Sequence, residues 1–271
     1  MKSNVSALKR LLGPSPFSNI NYTIFFSPRS DQRRKFTCSP PSANPNQASQ
    51  ALFHNIKQRF LSFKEDRYNR EKAHFKRLSN LQNPKVRLQY HNLNSYVEQF
   101  MVIGCADSRV CPSNILGFQP GEAFMVRNVA NLVPPAENGP TETNAALEFA
   151  SLVLKVEHVL IIGHSDCAGI QTLRRMKDDR ASSLMEEWVS RAKVAKFTRH
   201  AYSSNREFEK ESINQSLKNL LTYPWIRHRV RGGFLSVHGG YYDFFNCSFE
   251  KWTLDAQNSS SFLFKDWEYW T

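Results

Sequence analysis

The sequence of 271 residues contains no hydrophobic run that could cross a membrane. A transmembrane helix needs about 20 consecutive apolar residues, and no stretch of this chain approaches that length. No membrane span is therefore expected. The length instead allows one sizeable folded domain with appendages at its ends.

Cysteine is scarce and scattered, with five residues at positions 38, 105, 111, 167 and 247. A small secreted domain held by disulfides would need a denser set of paired cysteines. Two of the five, Cys105 and Cys167, stand in a metal-ligand pattern that requires free thiolates. We therefore expect a reducing compartment.

Acidic residues are almost absent from residues 1–50, which contain Asp31 and seven Lys or Arg residues among many Ser, Asn and Pro. This composition predicts an organellar transit peptide, and the alternative is a disordered tail. The segment also explains much of the net charge of +12, because the rest of the chain has 29 basic and 23 acidic residues. A nucleic-acid-binding function, suggested by that charge, would need a basic stripe with stacking aromatics, which residues 100–170 do not contain.

Two short apolar runs end in glycine and are followed directly by residues that bind metals. Residues 100–104 (FMVIG) precede Cys105, and residues 159–163 (VLIIG) precede His164 and Cys167. Both runs predict buried parallel strands of an α/β fold, whose carboxyl ends meet at one edge of the sheet. Cys, His and Cys would then lie together at that edge.

Three such ligands match a catalytic zinc that keeps a fourth position open, whereas a structural zinc needs four. Unrelated buried thiols and a helix-capping histidine are the alternative. Zinc lowers the pKa of its bound water from 15.7 to about 7. Asp107 is placed to orient such a water, and Arg109 lies on the same side of an extended segment and can hold Asp107. An ordinary surface ion pair is the alternative for these two residues.

The same residues belong to a longer pattern that resembles a plant-type beta-class carbonic anhydrase. The resemblance runs from about residue 52 to about residue 254. It rests on Cys-x-Asp-x-Arg at 105–109, VCPS at 110–113, FQPGEAF at 118–124, RNVAN at 127–131 and His-x-x-Cys at 164–167. It implies a zinc enzyme that interconverts carbon dioxide and bicarbonate, with Asp107 acting on the water or entering as a fourth ligand in an inactive form.

The resemblance also implies the substrate contacts and the partners. Gln82 would donate a hydrogen bond to bicarbonate, and Phe124, Val129 and Phe149 would surround an apolar pocket. Without the resemblance, Phe124 and Val129 could equally be core residues. The family has an N-terminal arm that wraps the other subunit of a dimer, so we expect a homodimer or a larger homo-oligomer.

Four departures from the family pattern distinguish this chain. Ala168 replaces a glycine whose backbone N–H is expected to face substrate, and alanine would be strained there if the position needs a positive φ. Asp166 adds a negative charge between two ligands, and Phe149 replaces a tyrosine of many plant members. Residues 86–99 are fourteen additional residues, for which a loop is expected. Ala168 and the additional residues support an alternative function, a catalytically weak or silent zinc-binding subunit used for assembly.

The expected fold is α/β, with a central, mostly parallel sheet flanked by helices, an antiparallel edge strand and an N-terminal helical arm. The zinc domain would occupy residues 51–271, with the arm at 51–81 and an aromatic tail at 255–271 that packs on a neighbouring subunit. Late strands are expected at 235–241 and 249–254. The Ser and Pro content of residues 1–50 and the match to plant enzymes favour the chloroplast over the mitochondrion.

Overall fold

A computed structural model describes residues 45–80, 87–90, 93–96, 100–176, 181, 183–191, 204–256 and 262–271. Most of the expected transit peptide and Gln82 lie outside these described residues. The chain divides into two compact units, Met1–Leu61 and Ser62–Thr271. Within the described part of the chain, no helix is long and apolar enough to span a membrane.

The N-terminal arm is helical, as predicted. Helix α1 covers Pro45–Phe63 and runs into a π-helical turn, Lys64–Tyr68, before helix α2 at Lys72–Asn80. Within the second unit, the ring of Phe75 contacts those of Phe63 and Tyr68, with centroids 5.8 and 5.1 Å apart. Helix α2 is held by His74, whose ring nitrogen lies 3.1 Å from the carbonyl oxygen of Pro120.

The additional segment contains a small pair of antiparallel strands where a loop was expected. Strand β1 covers Arg87–Tyr90 and strand β2 covers Leu93–Tyr96, and they pair with each other as a separate two-stranded sheet. The sequence signal was weak because both strands are short and polar, without the clear apolar alternation of a half-buried strand.

The central sheet has six strands in the spatial order β4-β3-β5-β6-β7-β8. They are β3 (Phe100–Cys105), β4 (Ala123–Asn128), β5 (His158–His164), β6 (Ser236–Asp243), β7 (Ser248–Asp255) and β8 (Leu263–Trp270). The first four are parallel, while β7 and β8 add antiparallel at one side. The predicted fold class is therefore confirmed, including both late strands, and the aromatic tail supplies the edge strand.

Helices connect the strands and cover the sheet. They are α3 (Pro112–Ile115), α4 (Glu142–Glu148), α5 (Ala168–Arg175), α6 (Leu184–Arg191), α7 (Asn205–Leu220) and α8 (Pro224–Arg231). Helix α4 continues as a π-helical turn, Phe149–Val153. Helix α7 begins with a capping box in which Ser204 and Glu207 each bond the backbone N–H of the other.

The central strands β3 and β5 are buried on both faces, which explains their continuous apolar sequences. After β3 the chain forms β4 on one side of it, and it later forms β5 on the other side. At such a change of direction the connections diverge and leave a crevice at the carboxyl ends of the strands. Cys105 ends β3 and His164 ends β5, so both lie at this crevice.

Candidate active site

Three potential metal ligands meet at the carboxyl edge of the sheet, as the sequence predicted. Cys105 ends strand β3, His164 ends strand β5, and Cys167 is the N-cap residue of helix α5. Their ligand atoms all lie within 4.8 Å of one another, and the three residues are buried. The two sulfur atoms are 3.9 Å apart.

The imidazole of His164 is oriented for metal binding. Its Nδ1 lies 2.9 Å from the carbonyl oxygen of Ser165 and donates to it, which leaves Nε2 as the acceptor nitrogen. Nε2 is buried and has no hydrogen-bond partner. A buried polar atom without a partner is destabilising unless another group satisfies it. One imidazole nitrogen and two thiols therefore form a donor set that fits a zinc ion.

The two thiols strongly affect each other's ionisation. Hydrogen bonding from Cys167 lowers the pKa of Cys105 to about 4, although burial opposes the change. The hydrogen bond with Cys105 in turn raises the pKa of Cys167. Burial lowers the pKa of His164, but the interaction with the neighbouring Cys105 thiolate outweighs it and raises the pKa overall. A metal ion would stabilise both thiolates and so remove this competition for a proton.

Asp107 and Arg109 form a bidentate ion pair beside the ligands. Arg109 donates from Nε to Oδ1 of Asp107 at 2.9 Å and from Nη2 to Oδ2 at 2.6 Å, and its backbone N–H also reaches Oδ1 at 2.9 Å. The side-chain hydrogen bonds from Arg109 lower the pKa of Asp107 to about 2. The backbone N–H of Asp107 lies 3.5 Å from the sulfur of Cys105. The structure thus brings the predicted pair next to the first ligand.

The N-terminus of helix α5 carries two of the departures from the family pattern. Asp166 has φ 54°, whereas Ala168 lies outside the positive-φ region. Asp166 and Ala168 are both exposed. The strain expected if Ala168 needed a positive φ is therefore absent, and the side chain of Asp166 is open to solvent.

Val129 lies against the same helix end. A Cβ atom placed on Gly169 would come within 2.8 Å of the Cβ of Ala130 and 3.0 Å of a methyl group of Val129. Only glycine allows this close approach. The carbonyl oxygen of Val129 accepts a hydrogen bond of 2.8 Å from Nε1 of Trp188 on helix α6.

Phe124 and Phe149, the two aromatic residues assigned to the pocket by resemblance, lie together elsewhere. Their ring centroids are 5.7 Å apart, and both pack against the main hydrophobic core. Phe124 pairs in register with Met101, four residues before Cys105 on β3, which corresponds to roughly 13 Å along the strand. Within one chain they are therefore separated from the ligand cluster.

Glu209 is a buried residue of the site that sequence reasoning did not identify. Its carboxylate accepts hydrogen bonds from the backbone N–H of Cys167 at 3.2 Å and from the hydroxyl of Tyr241 at 2.9 Å. Burial raises the pKa of Glu209, and the hydrogen bonds from Tyr241 and Cys167 oppose this rise. An acidic residue facing inward on helix α7 breaks its apolar pattern, and that break was the signal available in the sequence.

Arg127 and Phe244 were also missed. Arg127 donates from Nε to the carbonyl oxygen of Cys105 at 2.8 Å and from Nη2 to that of Asp107, and it fixes the backbone between ligand and carboxylate. The ring of Phe244 lies between Arg109 and His164. The turn that carries Phe244 follows β6, far from the ligands in sequence.

Known proteins resemble this chain in sequence and in fold. The family profile described as carbonic anhydrase matches residues 100–248. The chain is 49% identical over 235 residues to beta carbonic anhydrase 5, chloroplastic, of Arabidopsis thaliana, which covers 81% of this chain and 73% of that protein. It is 48% identical over 226 residues to beta carbonic anhydrase 6, mitochondrial, of the same plant, with coverages of 80% and 73%.

Two solved structures extend the comparison to three dimensions. The beta-carbonic anhydrase CcaA superposes with a TM-score of 0.62 at 25% identity, over 81% of this chain and 93% of CcaA. A tetrameric beta-carbonic anhydrase from Sordaria macrospora superposes with a TM-score of 0.58 at 27% identity, over 76% of this chain and 96% of that one.

Proposed function

The chain belongs to the carbonic anhydrase family, in its plant-type beta class, and from this premise we propose that it catalyses the reversible hydration of carbon dioxide to bicarbonate and a proton. One zinc ion per chain would be held by Cys105, His164 and Cys167. The observation that carries the proposal is the buried cluster of these three ligand atoms, within 4.8 Å of one another. Zinc held by these residues would lower the pKa of a bound water to near neutrality and so provide the nucleophile for hydration.

Asp107 and Arg109 would be the catalytic residues of the protein itself. Arg109 contacts both oxygens of Asp107: its backbone N–H and Nε reach Oδ1, while Nη2 at 2.6 Å and Nε at 3.2 Å reach Oδ2. Each carboxylate oxygen offers about two acceptor sites, so the hydroxyl of the reacting water would replace the longer Nε contact to Oδ2. The depressed pKa of Asp107 keeps it ionised at any physiological pH. Asp107 would then act as a fixed acceptor that orients the nucleophile.

The remaining proposed contacts concern the substrate. Gln82 would donate a hydrogen bond to bicarbonate, and the backbone N–H of Ala168 would face the substrate. Val129 would supply an apolar wall suited to carbon dioxide, which offers few polar groups to bind. The assignment of Val129 to the pocket is supported by its contact with helix α5, which begins at Ala168. Phe124 and Phe149, which lie apart from the ligands of their own chain, would supply such walls only at the site of a partner subunit.

We also propose that the chain forms a homo-oligomer. Its proposed location is the chloroplast, with the mitochondrion as the alternative. Apolar side chains of α1 and β8 are exposed in the single chain, among them Phe53, Phe60 and Trp267, and the related enzyme from Sordaria macrospora is tetrameric. The organelle is supported by the names of the two plant relatives, one chloroplastic and one mitochondrial. Light scattering on the purified chain and imaging of residues 1–50 fused to a fluorescent protein test these two points.

Stopped-flow hydration of carbon dioxide, with zinc measured on the same sample, tests the function. The wild-type chain should hold one zinc and accelerate hydration. Cys105→Ser should lose most of both, because a hydroxyl is a far poorer ligand than a thiolate. Cys247→Ser is the matched control, since Cys247 is an exposed thiol outside the cluster, and it should behave like the wild type.

Each contrary result has a distinct meaning. Full zinc content in Cys105→Ser would refute the ligand assignment. A wild-type chain that holds zinc but does not accelerate hydration would instead favour the silent assembly subunit.

A further inference from the structure

The guanidinium of Arg109 needs support beyond its pairing with Asp107. The Arg109 side chain is 52% exposed, and exposed ion pairs hold their geometry weakly because water competes for both partners. Two further contacts restrain it. Nη2 donates to the carbonyl oxygen of Asp166 at 3.3 Å, and Cζ lies 4.7 Å from the ring centroid of Phe244.

Phe244 is itself tied to the strand that carries a metal ligand. Its backbone N–H donates to the hydroxyl of Ser165 at 2.9 Å, and the backbone N–H of Ser165 donates to the carbonyl oxygen of Tyr242 at 2.9 Å. Ser165 directly follows His164. The rings of Phe244 and His164 also meet edge to face, with centroids 5.7 Å apart. Phe244 therefore keeps a defined position relative to His164.

The turn that bears Phe244 is fixed from its other side by Asp243. One carboxylate oxygen of Asp243 accepts the backbone N–H of Phe245 at 2.9 Å. The other accepts from Asn246 at 3.0 Å and from Arg206 at 2.7 Å. Asp243 is buried, so this turn has little freedom to move.

We propose that Phe244 is a positioning residue that holds the guanidinium of Arg109, and through it the carboxylate of Asp107, at a fixed place relative to His164. A cation over an aromatic face is attracted by the negative charge of that face. The ring is thus a contact of Arg109 in addition to those with Asp107 and Asp166. The inference rests on the proposed function, because its catalytic consequence is measured as carbon dioxide hydration.

Substitutions at Phe244 in the full zinc-loaded chain test this role. Phe244→Leu removes the aromatic face, and Phe244→Met does so with a longer side chain if the leucine variant folds poorly. We expect kcat/KM for hydration to fall about threefold to thirtyfold at equal zinc content. Phe244→Tyr keeps the face and should retain wild-type turnover. Phe245→Leu is the matched control, because the neighbouring Phe245 is 80% exposed.

Two measurements separate positioning from general damage to the fold. In Arg109→Gln, which removes the cation, adding Phe244→Leu should cause no further loss, because the interaction between guanidinium and ring is already absent. In the metal-free chain, the Nε–H resonance of Arg109 should lose its ring-current shift in Phe244→Leu and keep it in Phe245→Leu.

The outcomes are decisive in both directions. The inference stands if the leucine variant loses turnover, the tyrosine variant retains it and the double variant shows no added loss. It is overturned if leucine costs less than twofold, if leucine and tyrosine are equally impaired, or if the leucine variant loses its zinc. An inactive wild-type chain would refute the proposed function, and an unchanged Arg109 resonance in Phe244→Leu would refute the positioning contact on its own.

Discussion

At the scale of single residues, Asp107 tests whether the ion pair beside the ligands has a catalytic role. Asp107→Asn keeps the size of the side chain but makes it a weaker acceptor that cannot pair ionically with Arg109. We expect zinc content to remain and kcat/KM for hydration to fall about 100-fold, within the range for removing a positioned proton acceptor. Stopped-flow hydration and elemental analysis on one sample measure both quantities.

Asp166→Asn is the control for this prediction. Asp166 accepts a hydrogen bond from Arg109 through its main-chain carbonyl, which Asp166→Asn keeps, and asparagine tolerates the positive φ of that position. The control should therefore keep its turnover. If Asp107→Asn hydrates carbon dioxide as fast as the wild type, the pair with Arg109 is structural only.

His238 is a residue whose ionisation should affect stability rather than catalysis. Its ring nitrogens lie 3.0 Å from Nδ1 of His158 and 3.0 Å from the hydroxyl of Thr253. Burial, with the nearby charges of His158 and Lys251, lowers the pKa of His238 from 6.5 to about 4. As pH falls from about 6.5 to about 4, the unfolded chain binds a proton that the folded chain does not. Stability is therefore lost over that window.

The loss should be about 1–3 kcal/mol, at about 1.4 kcal/mol for each pKa unit. Between pH 7 and 4.5, the free energy of unfolding of the wild type should therefore fall by this amount more than that of His238→Gln, as measured by urea denaturation. Metal ligands also bind protons in this range, so the comparison is between the variant and the wild type. His228→Gln, at an exposed histidine, should leave the dependence unchanged. An equal dependence in His238→Gln and the wild type would contradict the prediction.

At the scale of secondary-structure elements, the packing of helix α5 on residues 129–131 explains which of two adjacent positions must be glycine. Gly169 lies against Val129 and Ala130 at distances too short for a Cβ atom. We expect Gly169→Ala to lower the free energy of unfolding by about 1–3 kcal/mol, as for other overpacked sites. It should also weaken zinc retention, because Cys167 caps this helix.

Ala168→Gly introduces the residue expected from the family resemblance and serves as the matched control. Ala168 is exposed and outside the positive-φ region, so its replacement should change stability by no more than about 1 kcal/mol. Denaturation and competition with a chelator measure the two effects. A control that is as unstable as Gly169→Ala would contradict this account of the helix end.

The elements also explain which parts of the molecule could be read from the sequence. Strands β3 and β5 were predictable because both are buried on two faces and read as uninterrupted apolar runs. The ligands directly after them followed from the same pattern. The hairpin at 87–96 was not predictable, because its strands are polar and pair only with each other.

Contacts between distant segments were beyond any local pattern. Glu209 is 42 residues from Cys167, whose backbone it binds, and Phe244 is 79 residues from Ser165. The tail was expected to pack on a neighbouring subunit because it is aromatic. In the structure the tail packs on the sheet of its own chain, since the ring of Trp267 in β8 stacks on that of Trp252 in β7 with centroids 4.8 Å apart. Its packing on a second subunit stays a prediction.

At the scale of the whole molecule, the extra hairpin separates Gln82 from the strand that ends in Cys105. The hairpin pairs with no strand of the six-stranded sheet, and loop length adds only a logarithmic entropy term. Deleting residues 86–99 should therefore leave zinc content and thermal stability unchanged. Substrate ligands must be held to within about 0.5 Å. Joining residue 85 to Phe100 should bring Gln82 nearer to the site and raise turnover several-fold.

Two variants decide whether the gain comes through Gln82. A flexible Gly-Ser segment of equal length in place of residues 86–99 removes the hairpin but keeps the spacing, so it should not raise turnover. Gln82→Ala in the shortened chain should abolish the gain, because the hydrogen bond to bicarbonate is then lost whatever the spacing. A shortened chain that turns over no faster than the wild type at equal zinc content would mean that the hairpin leaves Gln82 in place or belongs to the site itself. The separation of Gln82 from β3 would then have no catalytic cost.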